Sequence, residues 1–388
     1  MSESMEPIVL RNAAAVLPEG LRRADIGMRG GKIDRIGEAL DGYETEIDAR
    51  EYTVIPGMID THTHGAMGVD VNKATAADYQ TLSAFYASQG VTGFLPTVIS
   101  DAGNKMLEAL QMAADAQSAV RGAGILGCHL EGPFLSVEYK GAMPRRYLQQ
   151  GDAALIARFL TAARGCKLLM TVAPEVQGVD ALMHYISSQG ICAGLGHSGA
   201  TYEQATACVR AGAAFFAHTM NAMRPLDRRE PGILGAALES DAYCEFICDG
   251  LHLHPANVRI LLKAKGIGKL VAVSDSIMAA GLPDGVYTLG AHKIIVKDGD
   301  STLGNGHTRA GSTLTLRAAL VNFLQFTGLP LHEAILPMTA NPAQLLGLDK
   351  QKGRIAPGMD ADLAVLDNRM NVQYTFVQQR MVYKHNAQ

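Results

Sequence analysis

Residues 192–219 read CAGLGHSGATYEQATACVRAGAAFFAHT and carry the pattern on which the fold prediction depends. The apolar runs at its two ends are short enough for buried strands, and the stretch YEQATACVRAGA between them has a helical pattern. A helix between two buried strands is typical of a β–α–β unit, in which the strands run parallel.

The same alternation of apolar runs and helix-patterned stretches extends through the middle of the chain. The remaining apolar runs are VIPGMID, GFLPTVIS, ILGCHLEG, KLLMTVAPE, CEFICDGLH and KLVAVSDS. With the two runs above they make eight strand–helix units over about 290 residues, which suits a (β/α)8 barrel. We therefore predict an α/β protein with a TIM-like (β/α)8 barrel over residues 56–346.

Short alternating strands occupy both ends of the chain instead. Examples are PIVLRNAAAVL and ADIGMRGGKIDRIG near the start and ADLAVLDNRMNVQYTFV near the end. Because chain termini usually lie close together, we expect residues 1–55 and 347–388 to form one small β-sandwich domain. Residues 281–311 predict a β-hairpin excursion from the barrel.

Composition excludes several classes of protein. Of the 388 residues, 48% are hydrophobic and 19% charged, and the net charge is −4, which argues against a disordered chain and against a general nucleic-acid or anionic-membrane surface. The start of the chain lacks the features of a secretory signal, and no apolar run reaches the ~18 residues that span a bilayer. The six cysteines form no CxxC pair, which indicates reduced thiols and a cytoplasmic location.

Ionisable side chains follow six of the eight apolar runs, at the points where the predicted strands end. They are His62, His64, Glu131, His197, His218, Asp249, His252 and Asp275. Since the active site of such a barrel lies at the C-terminal ends of its strands, we expect these side chains to meet at one rim. Burying so many unpaired ionisable groups would be costly, so the cluster predicts either water or a shared cation.

The HTH segment favours the cation. His62 and His64 are two residues apart on an extended segment, so both imidazoles can face one ion. Imidazole and carboxylate together suit zinc, iron, cobalt or manganese. A metal lowers the pKa of its bound water toward neutrality, and the carboxylate of Asp275 beside it could accept the proton.

Each of these residues also has an ordinary structural interpretation. His197 could lie at the start of the next helix, which Ser198 or Thr201 would cap. His218 could be a hydrogen-bonded core histidine beside phenylalanine, and Asp275 could cap a helix in the segment SIMAA. Their joint placement at equivalent points along the chain favours a shared site.

The segments around these residues resemble a known family. PGMIDTHTHG resembles the opening metal motif of the amidohydrolase superfamily, and HLEGPF, GHSGAT, HTMNAM, REPG, DGLH and VSDS together resemble the N-acetylglucosamine-6-phosphate deacetylases. The resemblance covers essentially the whole chain. It implies a distorted (β/α)8 barrel with a small β-sandwich made by both termini. It also implies hydrolysis of N-acetyl-D-glucosamine 6-phosphate to D-glucosamine 6-phosphate and acetate, in amino-sugar metabolism and cell-wall recycling.

The resemblance further implies roles for individual residues. The main metal would be bound by Glu131, His197 and His218, a second metal by His62 and His64, and Asp275 would be the catalytic acid and base. The matching substrate contacts are Ala142, Met143, Asn221, Ala222, Arg229, His252, Arg309, Ala310 and Gly311. One or two divalent metals are expected per chain, with zinc favoured over iron, cobalt or manganese. The expected partners are a phosphorylated N-acetyl amino sugar and a second copy of the chain in a homodimer.

The sequence leaves some substrate assignments open. Several relatives place a histidine that steadies the substrate carbonyl where this chain has Met143, and methionine cannot donate a hydrogen bond. Either the metals polarise the carbonyl alone or another group substitutes, with His129 and Cys128 as weaker candidates. His254 competes with His252 for the substrate contact.

The contact of Arg229 with the phosphate could be made within one chain or across a dimer.

Other functions are also open. Other superfamily members use a carboxylated lysine at the end of the fourth strand, but here Lys167 lies at its beginning, which disfavours dihydroorotase- or hydantoinase-like activity. The galactosamine isomer as substrate and a catalytically silent amino-sugar-phosphate sensor also fit the motifs. Retention of Asp275 and of the full ligand set argues against the sensor.

Overall fold

The computed structural model describes residues 6–102, 104–304, 306 and 308–386. The chain begins with five strands of a sheet to which both chain ends contribute, called the terminal sheet below. These strands are β1 (Ile8–Leu17), β2 (Gly20–Arg29), β3 (Lys32–Gly37), β4 (Thr45–Asp48) and β5 (Thr53–Pro56). Strand β1 pairs with β2 on one side, and on the other with β4 along its first half and β5 along its second.

Eight parallel strands then form the barrel, and each of them overlaps one of the eight predicted runs, although the first residues of the run VIPGMID belong to β5. In chain order the strands of this region are β6 (Met58–Thr63), β7 (Gly65–Ala66), β8 (Val69–Asp70), β9 (Val91–Ile99), β10 (Gly124–Ile125), β11 (Cys128–Glu131), β12 (Leu168–Val172), β13 (Cys192–Leu195), β14 (Phe215–Phe216), β15 (Tyr243–Ile247) and β16 (Leu270–Val273). The barrel order is β6–β9–β11–β12–β13–β14–β15–β16, and β7, β8 and β10 are short additions. The predicted barrel is confirmed.

The barrel is closed at its C-terminal rim by hydrogen bonds between the first and last strand ends. The Asp275 N–H donates to the carbonyl of His62 at 2.9 Å, and the His64 N–H donates to the carbonyl of Ser276 at 2.7 Å. The candidate site residues therefore take part in closing the barrel.

One helix follows each barrel strand, and two short ones lead back to the terminal sheet. The helices are α1 (Ala76–Ser88), α2 (Lys105–Ala116), α3 (Ala153–Ala162), α4 (Val179–Ser188), α5 (Tyr202–Arg210), α6 (Gly232–Glu239), α7 (Pro255–Lys265), α8 (Leu316–Thr327), α9 (Leu331–Ala334) and α10 (Ala340–Leu345), with 3-10 turns at Val71–Lys73, Arg145–Tyr147, Ile267–Lys269 and Leu336–Met338. Helices α1 and α5 begin with capping boxes, Thr75 with Asp78 and Thr201 with Gln204. Of the two residues considered as caps, Thr201 therefore caps α5, and His197 lies before this helix.

The excursion after β16 is confirmed as a β structure, with one strand more than predicted. It contains β17 (Gly285–Leu289), β18 (His292–Lys297) and β19 (Asp300–Leu303) in one antiparallel sheet. Its apolar side packs over the rim, where Leu289 and Ile294 join Ile99, Met143 and Ile277 in a separate apolar cluster. This sheet forms one wall of the cavity described below.

The C-terminal strands complete the terminal sheet. They are β20 (Leu363–Leu366), β21 (Val372–Val377) and β22 (Arg380–Lys384), and β20 pairs with β5, so that both chain ends share one hydrogen-bonded assembly. Its core, which includes Leu10, Met28, Leu363 and Phe376, is distinct from that of the barrel. The structure is thus a (β/α)8 barrel with a small β-sandwich formed by both termini. The domain boundaries at 55/56 and 346/347 stay predictions.

Candidate metal centre and substrate cavity

The six residues predicted as metal ligands and acid/base converge at the C-terminal rim of the barrel. His62 and His64 lie at the end of β6, Glu131 is the last residue of β11, and His197, His218 and Asp275 each follow the ends of β13, β14 and β16 by two residues. All six side chains are buried. The predicted spatial convergence is confirmed.

Three of these residues adopt a left-handed backbone. The φ angles are 47° at His197, 29° at His218 and 48° at Asp275, a region that non-glycine residues seldom occupy. Such strained positions persist only when the surrounding structure enforces them, and they cluster at functional sites. The left-handed backbone conformation at these three positions directs each side chain inward just after its strand ends.

Glu131, His197 and His218 form the first of two groups of potential ligands. Oε1 of Glu131 lies 3.0 Å from Nε2 of His197 and 3.0 Å from Nε2 of His218. The two Nε2 atoms are 3.1 Å apart. Three donor atoms so close together fit the coordination of one cation.

His62, His64 and Glu131 form the second group, with Asp275 beside it. Nε2 of His62 lies 3.4 Å from Oε1 of Glu131, and Nε2 of His64 lies 3.4 Å from Oε2. Oδ1 of Asp275 is 3.0 Å from Nε2 of His64 and 3.6 Å from Nε2 of His62. Glu131 belongs to both groups, so its carboxylate would supply a ligand to an ion in either position.

All four imidazoles are held through Nδ1, which leaves Nε2 for the centre. Nδ1 of His64, His197 and His218 bonds to the main-chain carbonyls of Thr97 (3.2 Å), Tyr139 (2.9 Å) and Asn221 (3.2 Å). Nδ1 of His62 bonds instead to Oε2 of Glu245 at 3.2 Å. Such outer partners are usual for metal-binding histidines, because they fix the tautomer and the ring orientation.

A buried polar atom without a partner points into this centre. Nε2 of His62 is buried and makes no hydrogen bond. An unsatisfied buried nitrogen costs free energy unless it binds something. The donor set therefore fits a divalent metal ion, for which His62 would supply one ligand.

The electrostatics of the centre also favour a cation. Burial acts to raise the pKa of Asp275, but its hydrogen bond with His64 and the charges of His62 and His64 lower the pKa to about 2. Burial likewise opposes ionisation of Glu131, yet attraction to His62 and His197 holds its pKa well below the usual range. Both carboxylates are therefore anionic near neutral pH.

A cavity of about 340 Å³ opens over these residues and brings together all but one of the predicted substrate contacts. The residues that line it include Ala142, Met143, Asn221, Ala222, His252, Arg309, Ala310 and Gly311, beside His64, Glu131, His197, His218 and Asp275. A volume of this size is in the usual range for small-molecule sites. The remaining contact, Arg229, does not line the cavity and is exposed on the loop before α6.

The two histidines that compete for the substrate contact lie in different places. His252 lines the cavity, and its Nδ1 bonds to Oδ2 of Asp249 at 2.6 Å. His254 is exposed and caps α7, since its Nδ1 accepts a hydrogen bond from the Ala256 N–H at 3.1 Å. Of the two, only His252 lies where it could contact a molecule in the cavity, and its substrate contact stays a prediction.

The candidates for replacing a carbonyl-steadying histidine are wrong. His129 is fully buried, its two nitrogens bond to the hydroxyls of Thr97 and Thr171, and it does not line the cavity. Cys128 is buried at the start of β11. Met143 packs in the apolar cluster that includes Leu289.

Asp275 does not cap a helix, and Lys167 does not reach the rim. No helix begins at Asp275 in the described part of the chain, because residues 278–280 form a turn, so the predicted cap in the segment SIMAA is wrong. Lys167 precedes β12, at the end of the strand opposite the rim. A bridging carboxylated lysine therefore has no counterpart at that position.

Sequence reasoning missed Glu245 and gave Asp249 no separate role. Glu245 lies within β15, is fully buried, and holds His62. The signal in the sequence was a single carboxylate inside the apolar run YCEFI, since carboxylates are seldom fully buried without a partner. Asp249 accepts the Nδ1 hydrogen bond of His252 and both the Leu251 and His252 N–H groups, which fixes that side chain in the cavity wall.

Within the described residues, none of the helices has both the length and the apolar character needed to cross a membrane.

Comparison with known proteins gives consistent results. The model of the amidohydrolase family matches residues 53–382. The chain is 33% identical to the N-acetylglucosamine-6-phosphate deacetylase of Bacillus subtilis over 95% of this chain and 96% of that protein. It is 34% identical to the N-acetylgalactosamine-6-phosphate deacetylase of Escherichia coli O157:H7, over 89% and 92% of the two chains. The crystal structure of the N-acetylglucosamine-6-phosphate deacetylase of Pasteurella multocida superposes with a TM-score of 0.91 at 30% identity, covering 97% of this chain and 99% of that one.

Proposed function

The chain belongs to the amidohydrolase family, and we propose that it hydrolyses the N-acetyl group of N-acetyl-D-glucosamine 6-phosphate to D-glucosamine 6-phosphate and acetate. The observation that carries this function is the convergence of Glu131, His197, His218 and Asp275 on one cavity. It occurs in a chain that is 33% identical, over almost its whole length, to a deacetylase of this specificity. The activity places the protein in amino-sugar catabolism.

The residues of the rim suit amide hydrolysis. A divalent metal held by Glu131, His197 and His218 would polarise the amide carbonyl and acidify water. Asp275 faces the same cavity and would accept a proton from the attacking water and return it to the departing amine. The C–N bond breaks, the acetyl carbon gains the water oxygen, and the amine leaves with the added proton.

We propose zinc as the native metal and two ions per chain when both positions are filled. The second ion would be held by His62, His64 and Glu131, whose donor atoms form a group of their own. Imidazole and carboxylate ligands also accept iron, cobalt or manganese. Metal analysis of the protein as purified identifies the ion.

Acetate release from four sugars tests the function. We expect hydrolysis of N-acetyl-D-glucosamine 6-phosphate, with much weaker activity on N-acetyl-D-glucosamine, because the phosphate contributes binding energy. N-acetyl-D-galactosamine 6-phosphate and its unphosphorylated form complete the panel, since one relative carries the galactosamine name. Preference for the galactosamine ester would replace the proposed substrate, and no acetate from any of the four would leave the sensor as the better interpretation.

A phosphate contact across a homodimer is consistent with the cavity. Arg309 is the only lysine or arginine among the described residues that line it, and its guanidinium is paired with Asp300 at 2.9 Å. Arg229, whose planar fork suits phosphate, is exposed on a surface loop. We therefore propose that the chain forms a homodimer in which Arg229 reaches the cavity of the other subunit.

Replacing Arg229 tests this contact. We expect Arg229→Ala to lower kcat/KM for the phosphorylated sugar about 10-fold or more while barely changing that for the unphosphorylated sugar, because charge-assisted bonds contribute roughly 1.5–3 kcal/mol. Arg228→Ala, which alters the neighbouring exposed arginine, is the matched control. Equal losses on both sugars would remove Arg229 as a phosphate ligand.

Mixed dimers of Arg229→Ala and Asp275→Asn chains then distinguish the two geometries. If Arg229 acts across the dimer, one of the two sites in each mixed dimer is intact and activity returns. If it acts within its own chain, both sites carry a defect and activity does not return. The cytoplasmic location stays a prediction.

A further inference from the structure

We propose that Glu245 is a positioning residue that acts through His62 and determines whether the second ion position, formed by His62, His64 and Glu131, is filled. This inference depends on the two-ion arrangement proposed above. It concerns a residue outside the family motifs in the sequence and outside the cavity lining.

Glu245 lies inside the barrel and connects β15 to β6. It is fully buried, and its two carboxylate oxygens contact consecutive residues of β6. Oε2 lies 3.2 Å from Nδ1 of His62, and Oε1 accepts a hydrogen bond from the Thr61 hydroxyl at 2.8 Å. With both oxygens engaged, the carboxylate has one orientation, and so does the imidazole that it holds.

The carboxylate distinguishes His62 from the other three imidazoles. His64, His197 and His218 all bond to neutral main-chain carbonyls through Nδ1. A carboxylate in that position orients the ring as a carbonyl does, but it also makes the imidazole a stronger electron donor to a metal. Of the four potential imidazole ligands, His62 alone has this reinforcement.

The charge of Glu245 is otherwise uncompensated. Among the described residues, the only cationic group within ion-pair distance is the His62 imidazole itself, which is charged only when protonated. A fully buried carboxylate without a charged partner is costly. Two divalent ions would bring four positive charges against the two negative charges of Glu131 and Asp275. Glu245 is a third carboxylate, separated from the second position by the imidazole of His62. It would offset part of the remaining positive charge.

The free nitrogen of His62 completes the argument. Nδ1 is committed to Glu245, so Nε2 is the unprotonated, coordinating nitrogen, and it is the buried atom that lacks a hydrogen bond. Glu245 therefore selects the tautomer that the second position needs. Among the described residues, the Glu245 side chain bonds to Thr61 and His62 and to none of the ligands of the first position. We therefore expect the first position not to depend on it.

Metal binding by Glu245 variants tests the proposal. Apoprotein of the full chain is titrated with zinc in equilibrium dialysis, and cobalt is added separately so that the visible absorption of each equivalent is recorded. We expect two ions in the unchanged protein. In Glu245→Gln we expect about 10-fold weaker binding of the second ion, and in Glu245→Leu a loss approaching 100-fold, because outer partners of metal ligands contribute this much to affinity. The first ion should bind unchanged in both.

The controls separate positioning from general structural damage. Thr61→Val removes the other anchor of the carboxylate and should weaken the second ion less than Glu245→Leu. Glu239→Gln, on an exposed face of α6, should change neither ion. If Glu245→Leu does not fold, Glu245→Gln carries the test, since it keeps the shape and one acceptor oxygen.

Three results would overturn the inference, and they are distinguishable from one another. Two ions bound with unchanged affinity in both Glu245 variants would show that the carboxylate has no role in occupancy. Equal weakening of both ions would indicate a purely structural contribution. A single ion in the unchanged protein at saturating metal would instead refute the two-ion arrangement, while leaving the deacetylase function, which depends on acetate release, standing.

Discussion

Asp275→Asn is expected to reduce turnover at least ~100-fold while leaving substrate binding and the metal at Glu131, His197 and His218 in place, since this is the usual loss on removing a general base. The amide keeps the size of the carboxylate and one oxygen, but it cannot accept a proton. The carboxylate it replaces is anionic, with a pKa lowered to about 2, and lines the cavity.

Steady-state acetate release, metal content and substrate affinity of this variant provide the measurements. Asp115→Asn is the matched control, because Asp115 forms an exposed ion pair with Arg164 far from the rim, and such pairs contribute little. Acetate release close to normal in Asp275→Asn would refute the acid/base role. Loss of metal from the first position together with activity would assign Asp275 to metal retention instead.

Glu131→Gln is expected to release both ions and reduce activity by at least ~100-fold. Glu131 is the one residue shared by the two groups of potential ligands, so its loss affects both positions at once. Loss of an outer partner alone costs about 10–100-fold in metal affinity or activity, and loss of a shared ligand should cost no less. Metal content after dialysis and acetate release measure the effect.

His252→Asn is the comparison variant for Glu131→Gln. His252 lines the same cavity, but it is held by Asp249 and belongs to neither group of ligands. It should therefore keep its full metal content and lose substrate affinity. Thermal unfolding shows whether each variant is folded. A folded Glu131→Gln protein that retains two ions would contradict the assignment of Glu131 as the shared ligand.

The sequence predicted the barrel and the convergence at its rim because both follow from periodic features. Each apolar run was long enough to identify a strand, and the C-terminal ends of parallel strands in a closed barrel must meet at one rim. The position of His197 or His218 two residues beyond a strand was therefore enough to bring them together. Their left-handed backbone was not predictable, because it arises from packing around the whole rim.

The features that the sequence does not predict are contacts between side chains on different strands of the barrel. The partnership of Glu245 with His62 joins residues that are distant along the chain, and no local pattern encodes which residue of another strand a buried side chain meets. The same holds for His129, whose nitrogens are satisfied by threonines of two neighbouring strands. The location of Arg229 outside its own cavity depends on a surface loop, whose course hydrophobic patterning does not determine.

The rim hydrogen bonds of Asp275 and Ser276 with His62 and His64 have a consequence for biosynthesis. The ligand residues of both ion positions precede β15, so a chain still emerging from the ribosome already contains all of them. Asp275 and Ser276, which bond to His62 and His64, are made only after β16. These bonds join the first and last strands of the barrel, and closing so long a stretch of chain has an entropy cost. The main chain around His62 and His64 is therefore completed only when the barrel closes.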